Sequence, residues 1–497
     1  MAEKISGSIV VVSEAAQIRD LLGAPKAASP KAVDEPTPAP ATEHEVVIGG
    51  ARVPYRAEHG TVAVHLEDRE KPTAQMFYVA YERTDVADRA SRPLTFCFNG
   101  GPGSSSVWLH MGCFGPRRVR VDVGAVPRPP ARAEDHPHSL LDVTDLVFVD
   151  PIGTGFSTPD SGTGDEYLAV KADVEAMAEF VRRFTTQKQR WSSPKYLAGE
   201  SYGTTRAAAL AEHLQDRHGL FLNGIVLLSV ALQFQTLLFD EGNDLPYILY
   251  LPAYALTAAY HGAVDAPDLD AFAAEVEQFA ETEYAAALLR GTRLDEAQTA
   301  ALAARIAGYL GVSEAFVRRC NLRVSLPRFL RELLRERRRL VGRLDSRFVG
   351  RSKDAEGDDW RGDPSMSPLM ATFAPAFLHD LRTRLGHEDD DVYELLSSST
   401  HQRWKWTPEN AYLDLTGALR QALNANEHLG VFVASGLYDL ATPYSATEYT
   451  LAHLDLEPEA GGAITHERYP AGHMMYVHEP SMVKLKADLV AFYARTT

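Results

Sequence analysis

The sequence predicts an α/β fold in which a mostly parallel central sheet carries helices on both faces and is interrupted by a helical insertion. Short runs that are apolar almost throughout alternate with helical patterns, which is typical of parallel strands buried on both faces. Between about residues 233 and 405 the strand signal fades and helical patterns follow one another. We interpret this block as an insertion at one strand-to-helix connection, where it forms a lid.

The N-terminal region divides into an arm and a short antiparallel meander. Residues 24–43 are rich in alanine and proline, a composition that buries too little apolar surface to fold. We predict a disordered arm over residues 1–43. From about His44, two β-like runs flank Gly49 and Gly50, which indicates a hairpin, and further β-like runs continue the meander.

The predicted parallel strands fall in two core segments, residues 44–232 and residues 406–497. Each strand ends in a glycine, aspartate, asparagine or serine, as in the runs PLTFCFNGG, DLVFVDPIG, KYLAGES and LGVFVASGLYD. Reactive groups of such folds lie at the carboxyl ends of the strands. The strand ends are therefore where catalytic side chains are expected.

Composition narrows the classes of partner and location. The 497-residue chain has a formal net charge of -17 at pH 7, which disfavours nucleic acid because phosphate binding needs a basic surface. It has three cysteines, too few for a disulfide framework, and no run of about 20 apolar residues that would span a membrane. Because the N-terminus also lacks the apolar stretch of a secretory signal, we expect a cytoplasmic protein without a membrane partner, with a secreted or periplasmic location as the alternative if a signal peptide has been removed.

Ser201 occupies the position of a nucleophile. It follows the strand-like run KYLAGE and precedes a helical pattern, with Gly199 and Gly203 two residues to either side. Small residues at these positions permit a sharp strand-to-helix turn that exposes the serine hydroxyl. A single match of this kind also occurs by chance, and a serine hydroxyl is a weak nucleophile until a base removes its proton.

The partners that Ser201 needs occur downstream in the order expected for a strand–elbow–helix nucleophile, which is serine, then carboxylate, then histidine. Asp439 follows the apolar run of residues 431–434, and His473 lies in a glycine-flanked loop before the last helix. His478 is the competing histidine, but its place at a helix start indicates a capping or solvated residue. The sequence therefore predicts a triad of Ser201, Asp439 and His473.

A glycine-rich loop, NGGPGSSS, begins at Asn99 directly after a predicted strand. Glycines let a backbone approach a ligand closely and direct its N–H groups toward it. The position matches that of a second oxyanion donor in the loop after an early strand. On composition alone, a simple Gly-Pro turn is the alternative interpretation.

Four motifs together, NGGPGSSS, GESYG, SGLYD and AGHM, resemble those of the serine carboxypeptidase family, peptidase family S10. The resemblance covers roughly residues 73–493 and implies the α/β-hydrolase fold with a helical insertion. It implies that Ser201 is the nucleophile, His473 the general base and then acid, and Asp439 the orienting carboxylate. It also implies that the backbone N–H groups of Gly101 and Tyr202 form the oxyanion hole.

The same resemblance implies that Asn99, Glu200 and the backbone of Gly100 hold the terminal carboxylate of a peptide. Glu200 cannot hydrogen-bond a carboxylate while both groups are charged, so the two must share a proton. Cleavage would then be favoured at mildly acidic pH. The alternative is that Glu200 is simply buried and paired with a lysine or arginine.

Three positions depart from the family pattern. Cys97 stands where many members have tryptophan, Cys113 where many have a second glutamate, and Thr204 where glycine is usual. That second glutamate supports the carboxylate-binding network in the family. Its replacement leaves the acidic optimum and the strict preference for peptide termini open.

The sequence thus predicts a serine-type carboxypeptidase that hydrolyses the C-terminal bond of peptide substrates, without cofactor or metal. A serine esterase or acyltransferase on the same scaffold is the alternative, and a non-catalytic binding protein is a third possibility. A homodimer is compatible with the sequence. The basic run over residues 331–343 is interpreted as a solvated lid helix rather than a site for an anionic partner.

Overall fold

The computed structural model describes residues 41–497, except for residues 126, 161, 163, 358–361, 407–410 and 458–462. Residues 1–40 of the arm predicted over residues 1–43 lie outside the described residues. Thr42 and Glu43 already belong to the first strand, so order begins slightly before the predicted position. The other segment boundaries, 44–232, 233–405 and 406–497, stay a prediction.

Strands occur on both sides of the helical block. In chain order they are β1 (Thr42–Ile48), β2 (Ala51–Val64), β3 (Ala74–Arg83), β4 (Leu94–Phe98), β5 (Arg117–Arg118), β6 (Glu134–Asp135), β7 (Asp145–Val149), β8 (Thr158–Pro159), β9 (Lys195–Ser201), β10 (Gly224–Val230), β11 (Arg339–Val341), β12 (Val349–Arg351), β13 (Gly430–Gly436) and β14 (Ile464–Tyr469).

The α-helices are α1 (Val170–Gln187), α2 (Tyr202–His218), α3 (Leu245–Tyr260), α4 (Leu269–Phe279), α5 (Ala285–Arg290), α6 (Glu296–Leu310), α7 (Glu314–Arg319), α8 (Leu326–Glu332), α9 (Met366–Thr383), α10 (Ser398–Arg403), α11 (Thr416–Ala425), α12 (Tyr444–Ala452) and α13 (Glu479–Thr496). None of the helices in the described ranges combines the length and the apolar character needed to cross a membrane.

One large sheet organises the molecule. Its strand order is β1-β2-β3-β7-β4-β9-β10-β13-β14, and β8 pairs with β3 at the side. Strands β7, β4, β9, β10, β13 and β14 pair in parallel with one another in this order. Strands β1, β2 and β3 form the predicted antiparallel meander, and β3 also pairs antiparallel with β7. This topology confirms the predicted mostly parallel sheet.

Both faces of the sheet are buried, which explains the nearly continuous apolar strands. Within β4, Phe96 and Phe98 belong to the hydrophobic cluster on one face, and Cys97 belongs to the cluster on the other. Helices α1 and α2 cover the first face, and α9 and α13 contribute to the second. Because these strands run parallel, their carboxyl ends all lie on one side of the sheet, and the predicted site residues follow these ends.

The inserted region between β10 and β13 is largely helical, as predicted, with a hydrophobic cluster of its own that includes residues from α3, α4, α6 and α8. The prediction of a solvated lid helix over residues 331–343 is wrong. Helix α8 ends at Glu332, Arg338 takes a left-handed conformation, and the chain then enters the hairpin β11–β12. Arg331 is buried, and its guanidinium donates hydrogen bonds to Ser352 Oγ and to the Asp354 carbonyl.

Candidate active site

Ser201 stands on a strained turn at the end of β9, immediately before α2. Its φ of 58° and ψ of -127° lie in a region that residues with side chains rarely adopt. A Cβ on Gly199 would clash with the Gly203 carbonyl oxygen, and one on Gly203 would lie 2.7 Å from the Phe98 carbonyl oxygen. The two glycines therefore make the sharp turn sterically possible, and the turn presents the Ser201 side chain at the strand edge.

Asp439 and His473 follow the neighbouring strands β13 and β14 and are paired in the interior. His473 Nδ1 lies 2.7 Å from Asp439 Oδ2, and both side chains are almost fully buried. Asp439 Oδ1 also accepts hydrogen bonds from the backbone N–H groups of Ala441 and Thr442, at 2.7 and 3.1 Å. Thr442 Oγ1 donates to Asp439 Oδ2 at 2.7 Å.

This hydrogen bonding fixes the orientation of the histidine. A carboxylate that accepts from every side leaves Nδ1 of His473 as the proton-bearing nitrogen, so Nε2 is free to act as a base. Burial by itself lowers the pKa of His473, but the charge and hydrogen bond of Asp439, together with the Glu200 charge, raise it overall. The site thus stabilises the imidazolium that general-base catalysis produces.

A cavity of about 360 Å³ joins these groups. Ser201, Glu200 and His473 line it together with Gly101 and Tyr202. Within the described part of the chain, the side chains of Ser201 and His473 are not hydrogen-bonded to each other, and such contacts often tighten only when substrate is bound. The structure therefore brings together at one cavity all three members of the predicted triad, since Asp439 supports His473 from behind.

The glycine loop after β4 packs directly on the nucleophile turn. A Cβ on Gly100 would clash with the backbone nitrogen of Tyr202, and Gly101 has a φ of 106°. Tyr202 is the first residue of α2, so its N–H has no partner within the helix and lies at the positive end of the helix dipole. Gly101 and Tyr202 both line the same cavity.

An ion pair beneath the loop holds it in place. Arg206, which is 1% exposed, pairs with Asp173 at 2.8 Å and donates from Nη1 to the Asn99 carbonyl at 2.7 Å. Because Arg206 belongs to α2, the helix that begins at the nucleophile also anchors the loop that faces it. The loop is therefore more than a surface turn between two elements.

Asn99 and Glu200 form a buried polar pair beside Ser201. Asn99 Nδ2 donates to Glu200 Oε1 at 2.9 Å, and Asn99 Oδ1 accepts from the Leu109 N–H at 3.1 Å. Among the described residues, no group bonds Glu200 Oε2 with good hydrogen-bond geometry, although the Tyr476 hydroxyl lies close enough to act on the Glu200 carboxyl group. In the described residues, Glu200 has no lysine or arginine at ion-pair distance, so the alternative interpretation of a salt bridge is wrong.

The burial of Glu200 changes its acidity. Desolvation raises its pKa to about 7, although the charge of His473 and the Asn99 hydrogen bond oppose the shift. The Cys113 thiol lies close enough for the Glu200 charge to add to the effect of burial, and both raise the pKa of that thiol. Near neutral pH, Glu200 is therefore present in both its protonated and its ionised form.

Several residues of the site were not predicted from the sequence. Thr442, three residues after Asp439, could have been found, because a hydroxyl at that spacing commonly bonds an aspartate in a turn. Arg343 and Tyr476 gave no local signal. The competing His478 lies at the start of α13, where its Nδ1 contacts Ser481 Oγ, and it does not line the cavity.

Known proteins share this sequence pattern and this fold. The pheromone-processing carboxypeptidase kex1 of Pyrenophora tritici-repentis is 31% identical over 172 residues, 34% of this chain and 24% of that protein. Serine carboxypeptidase-like 36 of Arabidopsis thaliana is 28% identical over 182 residues, 35% of this chain and 34% of that protein. The matched region thus spans about a quarter to a third of the length of these curated relatives.

The crystal structure of KEX1(delta)p, a prohormone-processing carboxypeptidase from Saccharomyces cerevisiae, has a TM-score of 0.55 to this chain. The match covers 88% of this chain and 91% of that chain at 17% identity, and it confirms the predicted α/β-hydrolase fold. A sequence model of the Peptidase_S10 family, described as serine carboxypeptidase, matches residues 53–477. The chain therefore belongs to the serine carboxypeptidase family, as its four motifs predict.

Proposed function

We propose that this chain is a serine-type carboxypeptidase that removes the C-terminal residue of peptides through an acyl-enzyme. One observation carries the proposal. Ser201, on its strained turn, opens into the same cavity as His473, and Asp439 fixes the His473 ring at 2.7 Å. This arrangement supplies a nucleophile, its base and the group that orients the base.

In the first step, Ser201 Oγ attacks the carbonyl carbon of the last peptide bond while His473 Nε2 takes the hydroxyl proton. Asp439 stabilises the resulting imidazolium. The tetrahedral oxygen gains negative charge and accepts hydrogen bonds from the N–H groups of Gly101 and Tyr202. One such donor contributes about 100- to 1,000-fold in rate.

In the second step, the carbon–nitrogen bond breaks and His473 gives its proton to the leaving amine. The released amino acid departs, and Ser201 keeps the remaining peptide as an ester. A water molecule then gives a proton to His473 and attacks the ester carbonyl. The ester C–O bond breaks, His473 returns the proton to Ser201 Oγ, and the shortened peptide leaves with a new C-terminal carboxylate. No step needs a metal or cofactor.

The preference for a chain terminus is assigned to Asn99, Gly100 and Glu200. We propose that they hold the terminal carboxylate of the leaving residue, with Glu200 protonated. Support comes from the buried Oε2 atom of Glu200, which no described residue bonds with good geometry, and from the pKa of Glu200 of about 7, which makes the protonated form available at mildly acidic pH. An ionised Glu200 would repel the same carboxylate.

The test compares an N-blocked dipeptide with its C-terminal amide from about pH 4 to about pH 8. We expect hydrolysis of the free acid to exceed that of the amide, with a ratio that increases as the pH falls through about 7. Ser201→Ala is the control for background hydrolysis. Equal rates for acid and amide would leave a peptidase without the proposed carboxylate site.

A serine esterase or acyltransferase is the second candidate, and one observation favours it. Cys113, a buried thiol beside Glu200, stands where many family members have a second glutamate, so the carboxylate network has one carboxyl group fewer. Turnover of matched N-blocked amino-acid esters without turnover of the corresponding peptides would select this function. The Ser201 chemistry is the same in both cases.

The cytoplasmic location, the absence of nucleic-acid or membrane partners, and a homodimer are proposals that rest on composition alone. Cell fractionation would test the location. Light scattering of the purified chain over a concentration series would test the homodimer.

A further inference from the structure

Arg343 is a buried cation in the cavity wall that has no counter-ion among the residues the structure describes. It is 7% exposed and lines the cavity that holds Ser201 and His473. Throughout the described ranges, no carboxylate lies at ion-pair distance from its guanidinium. Arg347, four residues later and equally buried, is by contrast paired with Asp345 at 2.6 Å.

The side chain of Arg343 is the part left for a ligand. Its backbone N–H donates to Asp363 Oδ1 at 3.0 Å, and its carbonyl accepts from the Leu440 N–H, also at 3.0 Å. A buried, unpaired cation is unfavourable unless an anion arrives to pair with it. An anionic group of the substrate is the natural partner, because the cavity is where the substrate binds.

The position of Arg343 indicates which part of the substrate it contacts. Its neighbour Leu344 accepts a hydrogen bond from the His473 N–H at 2.6 Å, so Arg343 lies on the His473 side of the cavity. His473 must protonate the leaving amine, and the leaving residue therefore lies on this same side. Arg343 is thus placed toward the leaving residue rather than toward the acyl part of the peptide.

The terminal carboxylate of that residue is already assigned to Asn99 and Glu200. Arg343 belongs to a different part of the wall, because its carbonyl accepts from the Leu440 N–H next to Asp439, whereas Glu200 bonds Asn99 just after β4. A leaving residue that binds both at Asn99 and Glu200 and at Arg343 needs two carboxylates, one at the chain terminus and one on its side chain.

We propose that Arg343 binds the side-chain carboxylate of an acidic leaving residue, so that this chain prefers peptides ending in glutamate or aspartate. The inference rests on the proposed function and specifies its substrate class. A guanidinium matches a carboxylate with two parallel hydrogen bonds, and the apolar residues Leu344 and Met366 line the same cavity.

The experiment compares N-blocked dipeptides that end in glutamate, glutamine or leucine, with the wild-type chain, Arg343→Met and Arg343→Lys. A hydrogen bond to a charged group gives roughly 10- to 100-fold discrimination, so we expect kcat/KM for the glutamate peptide to exceed that for the glutamine peptide by this factor. Arg343→Met should lose this preference with little change for leucine. Arg343→Lys should restore part of it.

The matched control is Arg339→Met, an exposed arginine on the hairpin that leads to Arg343. It removes the same charge outside the cavity and should leave all three rates unchanged. Two results would overturn the inference. One is a wild-type chain indifferent to glutamate and glutamine, and the other is an Arg343→Met variant that loses all three substrates equally, which indicates a structural role or a contact with the terminal carboxylate.

Binding to Ser201→Ala separates this inference from the proposed function. Calorimetry of the glutamate and glutamine dipeptides, with and without Arg343→Met, reports recognition even if no peptide is hydrolysed. Tighter binding of the glutamate peptide that depends on Arg343 would support the inference while absent turnover rejected the carboxypeptidase. Equal binding of the two peptides would reject the inference whatever the activity.

Discussion

The two walls of the cavity are held in place by different means. The core wall consists of strand ends, and its shape follows from backbone geometry, since Gly100, Gly199 and Gly203 leave no room for a side chain. The wall contributed by the insertion is held by side chains, above all the buried pair of Asp345 and Arg347. Backbone geometry tolerates few substitutions, whereas paired side chains can be exchanged as pairs. We therefore expect the core wall to determine the positions of the catalytic groups and the inserted wall to determine which substrate side chains fit.

The insertion nevertheless supports the catalytic loops directly. The carbonyl of Leu344 accepts from the His473 N–H, and Ser346 N–H donates to the Tyr438 carbonyl beside Asp439. A Cβ on Gly472 would clash with Asp345, so the loops are in close contact. The segment around Asp345 is thus a wedge between the Asp439 loop and the His473 loop rather than a detached lid.

The largest expected effect tests whether the core wall carries the chemistry. Ser201→Ala removes the nucleophile, and loss of such a serine lowers kcat by about 10⁶-fold. We expect peptide hydrolysis to fall to near background while the melting temperature stays within a few degrees of wild type. A fluorophosphonate probe should label the wild type and not the variant. An unlabelled wild type would favour a non-catalytic binding protein.

The next effect concerns the histidine that the core wall orients. Asp439→Asn keeps the shape of the side chain but favours the wrong tautomer of His473, and the matching change in a serine protease lowers kcat by about 10⁴-fold. Hydrolysis should fall by a similar factor without unfolding. A decrease below about tenfold would show that Thr442 and the loop suffice to orient His473, and Thr442→Val in the same background would then measure their share.

Most of the core wall could be predicted from the sequence, for a physical reason. A parallel strand, the turn after it and the functional residue on that turn are contiguous in the chain, so Ser201, Asp439 and His473 each appear beside an apolar run. Glycines at fixed spacing mark the places where the backbone passes close to itself. The roles of these residues stay proposals, but their convergence on one cavity was predictable from local patterns.

The inserted wall could not be predicted in the same way. Residues 326–344 have a composition that favours a helix, yet the helix ends at Glu332, and Arg335 then donates to the carbonyls of Ala355 and Gly357, which follow the hairpin. Tertiary contacts override helix propensity here. The unpaired state of Arg343 depends on how the insertion packs against the core, and no spacing along the chain encodes that packing.

A third change tests whether the wedge positions the catalytic loops. Asp345→Asn leaves the buried Arg347 without its ion-pair partner, and breaking such a pair costs about 3–5 kcal/mol of unfolding free energy. We expect a clear decrease in the denaturation midpoint and a decrease in kcat of roughly tenfold, the cost of a slightly displaced site.

Arg339→Met, an exposed change on the same insertion, is the control for Asp345→Asn. Unchanged kcat in a destabilised Asp345→Asn variant would show that the wedge holds the fold but not the catalytic geometry. The insertion would then contribute to the stability of the fold, and the geometry of the catalytic residues would depend on the core wall alone.

A fourth change concerns pH dependence on the core wall. Glu200 faces Asn99, the hydroxyl of Tyr476, the Cys113 thiol and, across the cavity, His473. With a pKa of about 7 it loses its proton above neutrality, so kcat/KM for free-acid peptides should fall about fivefold from pH 7 to pH 8. Glu200→Gln remains neutral, and this alkaline decrease should disappear.

The acid side of the same profile gives a second readout for Glu200→Gln. On the acid limb Glu200 is protonated and uncharged, so glutamine at this position changes no charge beside His473. We expect the acid limb of kcat/KM, which reports His473, to stay close to that of the wild type. An unchanged profile in the variant would mean that Glu200 does not contact the substrate carboxylate, and the C-terminal amide peptide should show no alkaline decrease in either enzyme.

The smallest expected effect measures what the carboxylate site costs the fold. The pKa of Glu200 is about 7 in the folded chain and about 4.3 when unfolded, so stability is highest below the unfolded value and decreases as the pH rises through the folded one. Glu200→Gln should match the wild type at pH 4 and melt roughly 2–4 °C higher at pH 8. Glu427→Gln, at an 88% exposed side chain, should change neither. An equal gain at both pH values would indicate better packing rather than relief from a buried charge, and the core wall would then carry no electrostatic cost for its function.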